Sequence, residues 1–590
     1  MEGDMVKTQD SGSVIGKNLL SIYPGAVLYG LLFNISLMID SVIAGQTLGA
    51  AGIEAVALGV PGYGVPAAII YAFIHGSGLR MIWAKGHVDD REFRRVFRGG
   101  ATIVGLFGLL FAILIFVFGQ ELILLCGGDM VDSAVRQSAG IYLLFCAPTV
   151  FLTALGMILQ EYMNVLGLQT CRAALGGINV GVNLVVSVLC VSCFPADLKL
   201  AGLGIGTSAG GLVEFIGGII LLCGMKLRPE YRPLLFGPKE IMETMRCGVP
   251  AAADYLAENV VMGIQNNLIL SGFPGDPWIL STAEVVCNIA YFASGMIRGA
   301  AIAAEPLFGV FYAERDADSI KKVWYQGWGT GLVMSVVWAV LFYVSLPALT
   351  VLYKMELSPD ISRGMLLCMV FAPVMHTIYM FTLYYEAIKR FAVSMAFAII
   401  PDSCLYVLMM AVLIPVLGKD GIWLAVTGNQ LVGLILLIPL VWVLGSKSHE
   451  TADRLLLLPE EFYSGTILQE FEISGVESDT GTEIGRLRNA MEGILDDPVR
   501  TAAVLKNVEE LVTVMRRSSG NLHIKLREEG DRAELFIRCL GQRRELPAMI
   551  EENSLAKGDK ESIAYSFVYK MSIVCITVDG VRQKKTNRNS

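Results

Sequence analysis

Gly99–Phe118 reads GGATIVGLFGLLFAILIFVF. It contains no charged residue, and its twenty positions match the roughly 20 apolar residues that carry a helix across a bilayer. Working outward, the segment just before it is the opposite: Lys85, Arg91, Arg94, Arg95 and Arg98 crowd one short loop. Further charge-free stretches recur at Ala173–Ala196, Val323–Tyr353, Gly364–Tyr385 and Gly421–Ser446.

The whole chain follows this pattern. Of 590 residues, 54% are hydrophobic and only 17% charged, against roughly 25% charged in soluble proteins. Mean hydropathy is +0.58. These values exclude a disordered, collagen-like or disulfide-rich secreted chain. The net charge of −8 gives no general attraction to nucleic acid, so no nucleic-acid partner is expected. A hydropathy pass predicts about twelve spans, starting near residues 18, 50, 99, 135, 168, 200, 247, 278, 323, 363, 391 and 420.

The first 17 residues are polar, contain Glu2, Asp4 and Asp10, and do not read as a signal peptide, so the first helix is expected to be retained. Lys and Arg concentrate in alternate loops. After the 85–98 loop come Lys226, Arg228, Arg232, Lys239 and Arg246, then Arg315, Lys321 and Lys322, then Lys389 and Arg390. The positive-inside rule makes these loops, and both chain ends, cytoplasmic in a plasma membrane. The 12 cysteines are scattered, most of them within apolar spans, as a reducing compartment allows. Cys190 and Cys193 form a lone CxxC with no second pair or nearby His, which reads as accidental spacing, so no metal site is expected.

The membrane region repeats itself. Tyr23-Pro24-Gly25 is echoed by Val249-Pro250-Ala251. Ala84, Asp89 and Arg94-Arg95-Val96 are echoed by Ala313, Asp318 and Lys321-Lys322-Val323, and Gly204-Ile205 by Gly421-Ile422. A 6+6 duplication is a transporter design, with the site near the midplane between halves. The expected fold is therefore an all-α polytopic membrane protein of two pseudo-symmetric six-helix lobes. The boundaries are a tail at 1–15, an N-lobe at 16–225, a loop at 226–246 and a C-lobe at 247–446.

Four stretches resemble signatures of the MATE (multidrug and toxic compound extrusion) transporters. Met38–Gly45 resembles the family's "(V/I)DTxxxG". Glu305-Pro306-Leu307-Phe308-Gly309 through Ala313 resembles "QPLIGYNYGA", Asn183–Ser187 resembles "NIxLD", and Gly421–Ala425 resembles "GIWLA". The likeness spans roughly residues 15–446. It implies cation-driven export of amphiphilic, often cationic, small molecules, with H⁺ or Na⁺ as coupling ion and no cofactor. Two positions depart: Glu305 replaces the family's Gln, and Ser187 replaces the Asp ending "NIxLD", so one carboxylate of the N-lobe pattern is missing.

Ionisable residues inside the bilayer cost about 2.5–3.5 kcal/mol on insertion scales and call for a reason. Asp40 reads as a cation-binding carboxylate or as a helix-end carboxylate in a polar loop; the resemblance favours the first. Asn183, with Asn179 one turn away, could ligate the ion or hydrogen-bond between helices. Asp254, Glu258 and Gln265 fall on one face of the seventh span. Glu258, eight residues past Pro250, stands where the NorM-like branch of the family carries a functional Glu. Asp40, Asn183 and Glu258 are the ion-coupling candidates; Asp254, Glu258, Gln265 and His376 are the substrate candidates. His376 also reads as a packing histidine. Arg80 and Arg298 are expected to snorkel or to pair with Glu305.

After a linker at 447–464, residues 465–580 change character, and 581–590 form a basic tail. Gln469–Ser474, His523–Arg527, Ala533–Cys539 and Ile573–Val578 read as strands; Thr482–Leu495 and Asp497–Arg517 read as helices. Val508–Thr513 resembles the "VEELVTN" box of anti-sigma-factor and histidine-kinase-like ATPases, whose final Asn binds Mg²⁺; here it is Val514. The later "IxDxG" resembles Ile537–Gly541 with Cys539 at the adenine-reading Asp, and Ser562–Lys570 stands where the Gly-rich lid would lie. The resemblance implies an α/β sandwich that does not bind ATP, with a protein partner or a state-sensing role. The alternatives for the chain are a lipid-linked oligosaccharide flippase and a membrane sensor with an ATPase-like output domain.

Overall fold

The structure is a computed structural model. It describes residues 14–48, 50–124, 133–195, 198–227, 232–273, 279–352, 357–445, 451–459, 462, 466–473, 480–492, 495, 498–516, 522–529, 532–540, 561–568 and 571–579. α1 (Val14–Leu48), α2 (Ala50–Gly86), α3 (Asp90–Ile123), α4 (Ser133–Val165), α5 (Gln169–Cys193) and α6 (Lys199–Gly224) form the N-lobe. The C-lobe holds α7 (Pro238–Gly272), α8 (Ile279–Ile297) running into α9 (Gly299–Ala313), and α10 (Ala317–Val344). It continues with α11 (Leu346–Leu352), α12 (Pro359–Met369), α13 (Ala372–Ala387), α14 (Phe391–Ile399), α15 (Tyr406–Leu417) and α16 (Lys419–Leu444). Among the described residues, eight helices are long and apolar enough to cross a membrane, or ten if each of two bent pairs is one span. The 35-residue helices α1 and α7 complete the twelve-rod order.

Helix breaks have local causes. α12 and α13 meet at 43°, where Pro373 follows the bend. α14 and α15 are joined by a π-helical turn, Ile400–Leu405, that contains Pro401; the Pro401 carbonyl accepts both from the Tyr406 amide and from Asn429 Nδ2 at 2.9 Å. The charge-free run on α3 explains itself by exposure: Leu106, Leu109, Leu110, Ile113, Phe116 and Val117 face outward, an apolar stripe suited to lipid.

The duplication is written in the backbone. Val88 (φ 56°) and Arg315 (φ 53°) are both left-handed, and each precedes an N-cap aspartate. Asp89 accepts from the Arg91 and Glu92 amides at 3.0 and 2.9 Å, and Asp316 accepts from the Ser319 amide at 3.1 Å. The structural counterpart of Asp89 is therefore Asp316, not Asp318 as sequence alignment suggested.

The C-terminal domain comprises β1 (Thr466–Ile473), α17 (Thr480–Glu492), α18 (Pro498–Arg516), β2 (Leu522–Glu529), β3 (Arg532–Leu540), β4 (Glu561–Val568) and β5 (Met571–Asp579). Its antiparallel sheet has the order β1-β2-β3-β5-β4. Four strands and both helices fall where the sequence predicts them. β4 occupies the stretch read as the lid position.

Strand alternation divides the sheet's residues between two faces. Ile524, Leu526, Leu535, Ile537, Val574 and Ile576 pack under α17 and α18 with Leu487, Val504, Val508, Leu511 and Met515. The other face meets the membrane body: Phe536, Met571 and Ile573 join the body's apolar core. Beside them, wholly buried Arg538 points Nη2 at Glu314 Oε2 (2.5 Å) and Asp316 Oδ2 (2.9 Å). Lys525 Nζ lies 2.6 Å from Asp316 Oδ1, and Arg527 donates to the carbonyls of Glu314 (3.0 Å) and Arg315 (2.8 Å). Asp316 is held well below the carboxylate range: burial works against this, but Arg538 and Lys525 prevail. Glu314 is pushed up to about 7 by burial, against the pull of Arg538. The linker is pinned too: Tyr384 and Tyr385 hydroxyls donate to the Leu456 (2.7 Å) and Leu455 (2.6 Å) carbonyls. The domain also reaches the N-lobe, where the Val14 amide donates to Glu472 Oε1 at 3.3 Å.

Candidate functional site

The two lobes press together at the end of the bundle that carries the C-terminal domain. There α2 meets α7 backbone to backbone. A Cβ on Gly76 would collide with the Thr244 carbonyl, and one on Gly248 with the Ala72 carbonyl, so glycine is what permits this approach. Behind the seal lies a cavity of about 400 Å³ lined by both lobes.

Asp40 stands on its N-lobe wall. It is 6% exposed; Tyr142 on α4 and Thr207 on α6 each donate to Oδ2 at 2.8 Å. The Asn183 carboxamide on α5 also faces the carboxylate, while it accepts from Ser187 Oγ at 2.9 Å. Among the described residues, Oδ1 has no hydrogen-bond partner. The structure thus brings two of the sequence candidates, Asp40 and Asn183, to one place. Ser187, where the family's Asp would stand, turns its hydroxyl to Asn183 instead.

The remaining candidates separate. Asp254 and Glu258 lie on α7, but their side chains are outside the described residues. Gln265, deeper on α7, accepts from the Tyr406 hydroxyl at 2.9 Å and does not line the cavity. His376 is also away from it, wholly buried against Gly331, with Nδ1 3.3 Å from the Ile297 carbonyl. That is the packing role. Arg80 neither snorkels nor meets Glu305: it is 8% exposed, bonds Thr244 at 2.7 Å and pairs with Glu92 at 3.3 Å. Arg298 stacks on Tyr379, 3.5 Å from the ring centroid. The partner of Glu305 is His75.

Sequence reading missed most of the polar lining. Glu161 on α4 and Arg172 on α5 form a buried pair at 2.7 Å, and Asn164 donates to Glu161 at 3.2 Å. Glu214 on α6 accepts from Gln160 Nε2 at 2.5 Å and from Asn179 Nδ2. His75 on α2 sets Nε2 3.2 Å from Glu386 and 3.7 Å from Glu305, both in the C-lobe, so it links the lobes beside the seal. Tyr63, Tyr71, Tyr142, Tyr255 and Tyr379 add aromatic surface. Among the described residues, five carboxylates therefore face three basic groups in an aromatic cavity, an arrangement that can hold a cation or a lipophilic cationic molecule.

No family profile matches the chain, and neither does any characterised protein sequence. Solved structures do match in three dimensions. A MATE in complex with MaD3S aligns with a TM-score of 0.64 at 15% identity, over 73% of this chain and 97% of that one. A mutant of the Vibrio cholerae MATE transporter VcmN aligns at 0.63 and 14% identity, over 72% and 95%. An outward-facing multidrug resistance MATE family transporter of the MOP superfamily aligns at 0.63 and 14% identity, over 73% and 96%. Residue patterns, two-lobe architecture and these alignments converge: the membrane body of this chain has the fold of the MATE transporters.

Proposed function

We propose that the chain is a secondary active exporter. It moves small amphiphilic or cationic molecules out of the cell in exchange for H⁺ or Na⁺ by rocking one six-helix lobe against the other. The observation that carries this reading is Asp40: a buried carboxylate with one unsatisfied oxygen, opening into an acidic, aromatic cavity between lobes sealed at one end. Asn183 shares that coupling site, and Glu258 on α7 supplies the C-lobe carboxylate, with Asp254 beside it on the substrate path. In this reading the sealed end and both termini face the cytoplasm and the bundle lies in the plasma membrane, in contact with lipid; the basic loops support that orientation by the positive-inside rule.

A flippase for lipid-linked oligosaccharides would need a surplus of basic groups for a pyrophosphate. The cavity has the reverse balance, and Arg172 and Arg298 are already engaged. The C-terminal domain acts by contact and not by hydrolysis: its sheet grips the α9–α10 turn of the C-lobe, from which a state sensor or partner-binding module would work. The test is efflux of tetraphenylphosphonium from proteoliposomes under an imposed pH or Na⁺ gradient. Movement indifferent to both gradients, and unchanged in Asp40→Asn and Glu258→Gln, sinks the antiport reading.

A further inference from the structure

We propose that Glu214 is a second proton-binding site of the N-lobe, separate from Asp40. The inference rests on the antiport reading for its role in transport, but not for its existence.

Glu214 is the one acidic or basic residue between Lys199 and Lys226, the length of α6. It is 2% exposed, yet its carboxylate borders the cavity. No described cation pairs with it. Its partners are two neutral carboxamides, Gln160 on α4 and Asn179 on α5. Arg172 on α5, whose charge is felt at Glu214, forms its ion pair with Glu161 at 2.7 Å. The other charged groups lining this part of the cavity are Asp40 on α1, Glu161 on α4 and His75 on α2. An uncompensated buried carboxylate is costly in a bilayer, and the least expensive remedy is a proton.

The surroundings are built for that remedy. A carboxamide offers N–H donors to a carboxylate and, by turning over, a carbonyl acceptor to a carboxylic acid. Gln160 and Asn179 can therefore satisfy Glu214 in either state. They supply amide nitrogens to the carboxylate here, which suits a proton better than a metal ion. Space is reserved as well: a Cβ on Gly156 would lie 2.8 Å from Glu214 Oε1. Thr207, which binds Asp40, precedes Glu214 by two helical turns, about 10 Å along α6. The two carboxylates thus occupy successive levels of one wall, Glu214 the nearer to the sealed end.

The test is infrared spectroscopy of the full-length protein in detergent over a pH series, comparing wild type, E214Q, D40N and the double variant. Glutamine keeps the shape and the amide contacts, and an unchanged melting temperature verifies the fold. E214Q should remove one carboxylic C=O component that D40N leaves in place. If E214Q and wild type give the same titrating components, the site is overturned. In proteoliposomes, E214Q should slow pH-driven tetraphenylphosphonium efflux even at saturating tetraphenylphosphonium. A wild-type rate in E214Q overturns the coupling role. Failure of the wild type itself to respond to a gradient counts against the antiport reading alone, because the infrared result still decides Glu214.

Discussion

The Tyr142 hydroxyl, on α4, donates to Asp40 Oδ2, on α1, at 2.8 Å, in a part of the N-lobe where both side chains are buried. The bond ties the helix that carries the proposed coupling carboxylate to the lobe's interior. Asp40→Asn should abolish gradient-driven efflux, and Tyr142→Phe should slow it by roughly the tenfold that about 1.4 kcal/mol of lost hydrogen bonding to a charged group produces. Efflux rates at fixed gradient, normalised to reconstituted protein, distinguish the two.

Glu161 and Arg172 pose a different question, because removing one leaves the other as an uncompensated buried charge. Arg172→Met should destabilise the protein by about 3–5 kcal/mol, and the double change with Glu161→Met should recover most of that loss. Thermal unfolding of purified protein in one detergent reads both. An equal loss in single and double variants would refute the pairing argument.

The backbone approach of α2 and α7 gives a mechanical prediction. Gly76→Leu cannot coexist with the Thr244 carbonyl and should hold the sealed end open. Cys247, on α7 beside Gly248, is a free thiol 3% exposed in the closed arrangement. Maleimide labelling mapped by mass spectrometry should reach Cys247 faster in the variant than in the wild type.

Docking of the C-terminal domain should depend on pH through Glu314. Its folded pKa of about 7 lies above the ordinary 4.5 because burial disfavours the charged form. A raised carboxyl pKa contributes stability that is full below pH 4.5 and lost as pH rises through 7, on the order of 3 kcal/mol. Asp316, shifted the other way, stays ionised throughout this window. Hydrogen–deuterium exchange protection of β2 and β3, corrected for the intrinsic pH dependence of amide exchange, should therefore fall from pH 6 to pH 8, and Glu314→Gln should flatten the change.

The sequence made the bundle legible because span length and charge asymmetry are one-dimensional signals, and α3 and the 85–98 loop carry both in pure form. Asp40 was legible through its motif. Glu214, Glu161 and Arg172 were not: each is a single residue at the edge or middle of an apolar run, and its meaning comes from which helix stands opposite. A lone charge in span six was the available signal for Glu214. His376 misled for the same reason, since a histidine on a helix does not reveal whether it faces a cavity or a glycine. β4 was hidden because Glu561–Val568 alternates weakly and was weighed against a phosphate lid rather than a strand.

The C-terminal sheet has no face left for water. One side is roofed by its own helices; the other sets Arg538, Lys525, Phe536 and Met571 against a turn some 200 positions earlier in the chain. A ribosome makes that floor first and the sheet last. The sheet can complete its burial only after α9 and α10 have been inserted with their turn on the correct side. Closure of the sheet is thus tied to the topology of the membrane body: a chain with that turn on the wrong side leaves Arg538, Lys525 and Phe536 without their floor.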